Sequence, residues 1–446
     1  MENVIRELDL KNFEDDFNKE EKNLVAQRAV LKNGIVNSAI DEKTQRERIN
    51  TFSVDVNSGD VTNQRSSGRC WMFAGLNVLR VILRKKLNVK NIELSQAYLQ
   101  FYDKLEKANF FLERARELAG EPFDSRLNVF LLDSGIGDGG HFTRFTNLVK
   151  KYGVVPSVFM PDRTVSTATN ELNTLLTSLL ARDRKEIREA VKNGTKENVL
   201  RTRKEGRLDE IYRVLEISIG TPVKDFVFEY KDKDDKFHRL DKRTPKQFFD
   251  NYIGVDLDDY VSLCDAPIEG RERYQSYTCK YVNNVIGGDP VVFFNVPLSE
   301  LKKACIESLK GGDVIWFGSD VLAQSRRKDG YLAEGIIKTD ELFSLRPLLD
   351  KSGRLTYRSS FCNHARTLTG VNLDDKESPD RWKVENSWGD ENGKKGYYIR
   401  NDAWFNEYVY EVFVNKKYIN PEIVKKFEES KPVETLPFNT LWKERK

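Results

Sequence analysis

"QRSSGRCWMFAGLNVLR", residues 64–80, sets a cysteine between a polar Gly-Arg turn and the start of an apolar run. A free cysteine in such a setting is more often a small core residue than a reactive one, because buried thiols are usually inert. The residues that follow predict a helix over 70–87. Met72, Phe73, Leu76, Leu79, Ile82 and Leu83 recur at helical spacing, and Arg84, Lys85 and Lys86 suit the negative end of a helix dipole. Cys70 therefore falls at a helix N-terminus, where unpaired amides and the dipole favour a thiolate. A nucleophile also needs a base, a group that orients the base, and donors for an oxyanion.

The search for the base is short, since the chain has three histidines. His238 lies in the charged "DKFHRL" and reads as a surface residue; His141 follows two glycines and reads as a polar residue near a cleft. His364 opens the half-apolar strand "HARTLTGV", and "WKVENSWG" places Asn386 at the end of a second strand. On neighbouring strands an Asn oxygen accepts from one imidazole nitrogen and leaves the other to face a thiol. Cys70 and His364 are then expected to rest as an ion pair. The Gln64 side-chain amide and the Cys70 backbone N–H are the expected oxyanion donors.

Composition narrows the remaining classes. Lys+Arg at 73 against Asp+Glu at 70 leaves no strong field for nucleic acid or an anionic membrane. The mixed-charge run from Arg182 to Glu210 reads as a solvated helix face, without aromatic interleaving. No apolar stretch is long enough for a membrane span, and the acidic start lacks the pattern of a secretory signal. Cys264, Cys279, Cys305 and Cys362 are scattered and read as core thiols, which fits a reducing cytoplasm. No CxxC exists, and neither a metal nor another cofactor is expected.

Residues 1–60 read as an arm of one or two helices. Ser95 predicts the N-cap of a helix closed by Gly120, and further helices are predicted around 170–192 and 207–217, followed by a charged turn or hairpin at "KDKDDKFHRL". Beyond 286 the segments "PVVFFNV", "DVIWFGSDV", "RWKVEN", "GYYIR" and "YVYEVFV" read as strands, interrupted by one helix at "PLSELKKACIESLKGG". A helical front and a sheet-forming back predict an α+β protein.

Four ordered motifs, "QRSSGRCW", "GDGGHF", "NHARTLTG" and "WKVENSWGDENGKKGYYIRND", together resemble the papain-like cysteine peptidases of the bleomycin hydrolase/aminopeptidase C branch. The resemblance implies a papain-like fold with a helical insertion and terminal extensions. It divides the chain into an arm (1–60), a helical half carrying the nucleophile (61–160), a mainly helical insertion (161–280), a β-rich half (281–415) and a tail directed toward the cleft (416–446). It also implies Cys70 as nucleophile, His364 as base, Asn386 as its orienter and Gln64 as oxyanion donor. Gly139 and Gly140 resemble glycines that pair with an extended substrate, and Trp388 the aromatic cover of the His-Asn bond. Peptide substrates and a homo-hexamer are further implications.

The tail departs from the aminopeptidase pattern. Lys443, Arg445 and Lys446 set cations beside a terminal carboxylate that would otherwise attract a substrate's ammonium. An aminopeptidase is the first expectation, an oligopeptide endopeptidase the second, and a non-enzymatic nucleic-acid-binding or assembly protein the third.

Overall fold

The computed structural model describes residues 4–437 and residue 441. Helices fill the first half and one large sheet the second, the α+β arrangement expected. The helix Cys70–Leu87 has the bounds that its pattern predicts; left-handed Asn88, with φ 53°, ends it and donates its N–H to the Arg84 carbonyl. Ser95 caps Gln96–Glu117 through the Tyr98 amide. No helix among the described residues is long and apolar enough to cross a membrane.

In the middle of the sheet Ile315–Ser319 lies between Val409–Asn415 and His364–Leu373, and the latter pairs with Pro379–Glu385, all antiparallel. The register sets His364 opposite Ser319 and Thr367 opposite Glu385. The Cys70–Leu87 helix packs on this region. Trp316 Nε1 donates to the Trp71 carbonyl at 2.9 Å and Thr367 Oγ1 to that of Ala74 at 3.4 Å. Gly75 admits the neighbouring helix Phe142–Tyr152, because a Cβ there would sit 2.7 Å from the Phe145 ring.

A buried polar tie joins helix and sheet. Arg80 Nη2 donates to Glu385 Oε1 at 2.6 Å, Asn77 Nδ2 reaches the same oxygen at 3.0 Å, and Arg80 Nη1 donates to the Asp60 carbonyl at 2.7 Å. Both charged side chains are almost wholly enclosed, and burial raises the Glu385 carboxyl against the opposing pull of Arg80.

Two helices, Asn170–Lys192 and Glu197–Ile219, pack against Gln96–Glu117. The second is longer than predicted: its buried positions, Leu200, Arg207, Ile211, Leu215 and Ile219, include an arginine, so the apolar period is broken where Gly206 and the surrounding charges stand. Strands Phe226–Lys231 and Phe237–Arg243 form the expected hairpin. The stretch 161–280 is less purely helical than expected. Tyr260–Cys264 pairs with Val409–Asn415, and Gln275–Cys279 with Val292–Asn295, so both belong to the large sheet. Their short apolar runs sit among charged residues, which masked the period of two.

After the helix Pro421–Glu429, strand Val433–Thr435 pairs in parallel with Gln275–Cys279. Leu441 is buried beside Tyr277, Phe293, Leu355 and Cys362, and its carbonyl accepts the Cys362 N–H at 2.8 Å. Lys443, Arg445 and Lys446 lie outside the described residues.

Breaking one side of the Arg80–Glu385 tie leaves an uncompensated buried charge. Arg80→Met and Glu385→Leu alone should each cost about 3–5 kcal/mol. The double variant should cost well under the sum, read from urea unfolding as a double-mutant cycle. Additive losses would show that the tie does not act as a pair.

Candidate active site

The structure brings Cys70, His364, Asn386 and Gln64 to one cavity region. Cys70, Gln64, His364 and Trp388 line a cleft of about 810 Å³, with Gly139 and Gly140 further along the same wall. Cys70 is half-buried at the first turn of its helix, whose preceding residue Arg69 caps no amide with its side chain. Arg69 instead points into the fold, bidentate to Asp162 at 2.8 and 3.0 Å, and anchors the helix start from behind.

His364 Nε2 and Asn386 Oδ1 are 3.1 Å apart. Both residues are buried, at 5% and 1% exposure, so water does not compete for this bond. The bond engages one ring nitrogen and leaves Nδ1 for another partner. The Trp388 ring lies 4.8 Å from the imidazole, centroid to centroid, as a cover on this pair.

The Gln64 amide is oriented by two partners. Its Nε2 donates to the Ser67 carbonyl at 2.5 Å, and its Oε1 accepts from Ser387 Oγ at 2.6 Å. With the oxygen held by Ser387, the amide presents its NH2 end on the side of Ser67, leaving a second N–H for an oxyanion. Ser387 was not singled out in the sequence; its only signal was its place directly after Asn386.

Asp138 is a second such omission. Its carboxylate accepts the Gly68 N–H at 2.8 Å and Lys104 Nζ at 2.7 Å, with Thr169 and Asn173 beside it, and its carbonyl accepts from Trp71 Nε1 at 2.7 Å. Burial opposes this charge, but Lys104 and the hydrogen bonds prevail and hold the carboxyl below its usual range. It therefore pins the turn immediately before Cys70.

The two glycines differ. A Cβ on Gly139 would meet open space, whereas one on Gly140 would sit 2.3 Å from the Trp71 indole. Gly140 is thus required by packing on the helix that carries Cys70. His141 has both ring nitrogens engaged, Nδ1 by the Thr143 amide at 3.3 Å and Nε2 by Glu411 at 2.9 Å. His238 pairs with Asp232 at 2.8 Å in the hairpin. Cys264, Cys279, Cys305 and Cys362 are buried, as expected.

Electrostatics at the pair departs from the simple expectation. Burial pushes the Cys70 thiol up, opposed by the backbone amides of Ala365 and Trp71 and by the Arg366 cation. Burial likewise takes the His364 imidazole well below its ordinary value, with Arg366, Arg400 and Arg327 adding to the effect and the Asn386 bond opposing it. The surroundings thus disfavour a charge on either group, and the resting ion pair expected from the helix dipole alone is opposed by burial.

Arg366 is the main unforeseen charge. It is 1% exposed, its guanidinium lies 5.0 Å from the ring centres of both Trp388 and Tyr398, and its three side-chain nitrogens have no hydrogen-bond partner among the described residues. Burial lowers this guanidinium to about 9. Nothing in "HARTLTG" singled it out.

Comparison with known proteins identifies the family. Residues 4–441 match the Peptidase C1-like family. The chain is 41% identical to aminopeptidase G of Lactobacillus delbrueckii subsp. lactis, covering 97% of this chain and 98% of that protein. It is 39% identical to aminopeptidase C of Listeria innocua, covering 97% of each. The crystal structure of PepW from Lactobacillus rhamnosis HN001 superposes with a TM-score of 0.96 at 39% identity, over 98% of this chain and 99% of that one.

A cation near a thiol favours the thiolate, so its removal must raise the thiol's pKa. Arg366→Met keeps the length of the side chain and should move the acid limb of Cys70 alkylation by iodoacetamide to higher pH. It should leave thermal stability equal or improved, because an unpartnered buried charge is lost. An alkylation profile identical to that of the unaltered protein would show that this charge does not reach the thiol.

Proposed function

The chain belongs to the Peptidase C1-like family and is a cysteine-type peptidase, and from that premise we propose that it is an aminopeptidase that removes residues from the amino ends of short, extended peptides. The observation that carries this reading is the course of the tail. Strand Val433–Thr435 runs beside Gln275–Cys279, Pro437 lines the cleft and Leu441 is seated against Cys362, two residues from His364. A cleft occupied at one end by the chain itself has room for few substrate residues before the scissile bond. The relatives' names, aminopeptidases G and C, support the same reading.

In the proposed reaction the Cys70 sulfur attacks the scissile carbonyl while its proton passes to His364. Gln64 Nε2 and the Cys70 N–H stabilise the oxyanion. The imidazolium protonates the leaving amine, an acyl thioester forms on Cys70, and His364 then activates the water that hydrolyses it. Asn386 holds the ring through its 3.1 Å bond, and Trp388 shields that bond from water. Gly139 offers open backbone to an extended peptide.

The reading extends to a homo-hexamer in the cytoplasm. Supporting it, helix Glu7–Lys19 buries no residue within the chain and exposes Leu10, Phe13 and Phe17 along one side, an apolar face that a second copy would cover. The mass in solution by light scattering should be six times that of the chain; a monomer mass overturns this part. The second reading, an oligopeptide endopeptidase, rests on the cations Lys443, Arg445 and Lys446 in the tail.

Cys70→Ala should lower peptide cleavage by roughly three orders of magnitude or more. The full chain should cleave a peptide with a free amino end and spare its N-acylated counterpart, and a chain ended at Thr435 should accept both. Equal cleavage of both peptides by the full chain would replace the aminopeptidase reading with the endopeptidase one.

A further inference from the structure

The leaving side of the cleft can be located from the base. An imidazole that protonates the departing amine must lie beside it, so the wall next to His364 receives the residues after the scissile bond. That wall is built by Trp388, Asn363, Val321, Leu322 and Arg327. The opposite stretch, from Gly139 toward Val282, Val291 and Pro437, belongs to the acyl side.

Arg327 is the exposed cation of that wall. Its guanidinium lies 5.3 Å from the centre of the Trp388 ring, the same ring that covers the His364–Asn386 bond. Among the described residues no carboxylate lies within ion-pair distance of it. Its neighbour Arg326 is committed to Asp329, at 3.1 and 3.0 Å, and Asp390 and Glu391, which follow Trp388 closely in sequence, do not pair with Arg327. The acidic residues that do line the cleft, Asp133 and Asp138, stand on the stretch leading to Gly139, on the acyl side.

The turn that carries Arg327 is held firmly. Strands Ser325–Arg326 and Tyr331–Leu332 pair antiparallel, and the Gly330 N–H closes the turn onto the Arg327 carbonyl at 3.1 Å. Gly330, at φ 65°, packs so closely on Gly393 that a Cβ would fall 2.3 Å from the Gly393 Cα. The Gly393 N–H donates to the Lys328 carbonyl at 3.3 Å. A guanidinium resting on an indole and carried by a braced turn loses little freedom on meeting a ligand. Arg366, enclosed near the same indole, adds positive potential with no carboxylate to neutralise it.

We infer that Arg327 is a specificity-determining residue that selects peptides bearing a carboxylate on the leaving side, through a charge-assisted contact. The carboxylate can come from an acidic side chain directly after the scissile bond or from the free carboxyl end of a very short peptide. The inference rests on the peptidase reading above.

Three peptides alike up to the scissile bond separate the sources: one followed by a glutamate amide, one by a glutamine amide, and one by glutamine with a free carboxyl end. Each is tested as a substrate and as a protectant of Cys70 against iodoacetamide, so binding is read without turnover. For the unaltered protein, kcat/KM for at least one carboxylate-bearing peptide should exceed that of the glutamine amide by about five- to tenfold. In Arg327→Gln that ratio should fall to about one, and in Arg327→Glu it should fall below one. A ratio that Arg327→Gln leaves unchanged, in cleavage and in protection alike, overturns the inference. Carboxylate-dependent protection without cleavage of any peptide would support Arg327 and overturn the peptidase reading instead.

Discussion

The site depends on a charge pair that no substrate touches. Arg80 comes from the third turn of the helix that begins at Cys70, and Glu385 is the residue before Asn386. Their 2.6 Å contact, with Asn77 on the same oxygen, fixes the helix against the strand pair that supplies His364 and Asn386. Apolar packing alone is non-directional and tolerates small slides of a helix over a sheet. A buried carboxylate that loses its partner by such a slide is left uncompensated, which costs several kcal/mol. The pair therefore contributes less to net stability than to register, and register sets the distance between a sulfur and an imidazole carried by residues far apart in sequence.

A second set of constraints orients what the first has placed. Asp138 holds Gly68, Ser387 holds the Gln64 carboxamide, and Trp388 covers the ring that Asn386 orients. Ser387 and Trp388 follow Asn386 directly, so in the proposed site one short segment supplies the partner of His364, the partner of the Gln64 carboxamide and the ring against the imidazole. The same compactness explains how a single buried cation, Arg366, is felt at two places. It disfavours an imidazolium at His364 and favours a thiolate at Cys70, so it acts on the two groups in opposite senses of charge.

Much of this was legible from residues with a strong local signature. Cys70–Leu87 announced itself through apolar spacing and its basic end, Ser95 through cap chemistry, and the catalytic candidates through the arithmetic of three histidines. Less legible were features whose cause is tertiary. Tyr260–Cys264 and Gln275–Cys279 are strands because the sheet completes them, and their own composition reads as part of a charged insertion. Arg207 is a buried helix position that looks like surface in any periodic reading. Arg366 has no sequence signal of its own, and its enclosure comes from Trp388 and Tyr398. Gly140 carries a packing constraint that its sequence setting did not reveal, since Trp71 demands its lack of a side chain.

The cleft also has a polarity that follows from where its two walls come from. The acyl side is bounded by the chain's own tail, which reaches it by adding Val433–Thr435 to the outer part of the sheet. Backbone pairing of that kind fixes the tail's direction without regard to most of its side chains. Residues beyond the strand can then vary in charge while Pro437 and Leu441 keep their places. The leaving side is bounded instead by a two-residue ribbon and the braced turn at Arg327, where the outcome depends on one side chain. In the proposed enzyme, substrate length is therefore governed by main-chain geometry at one end, and substrate charge by a single guanidinium at the other.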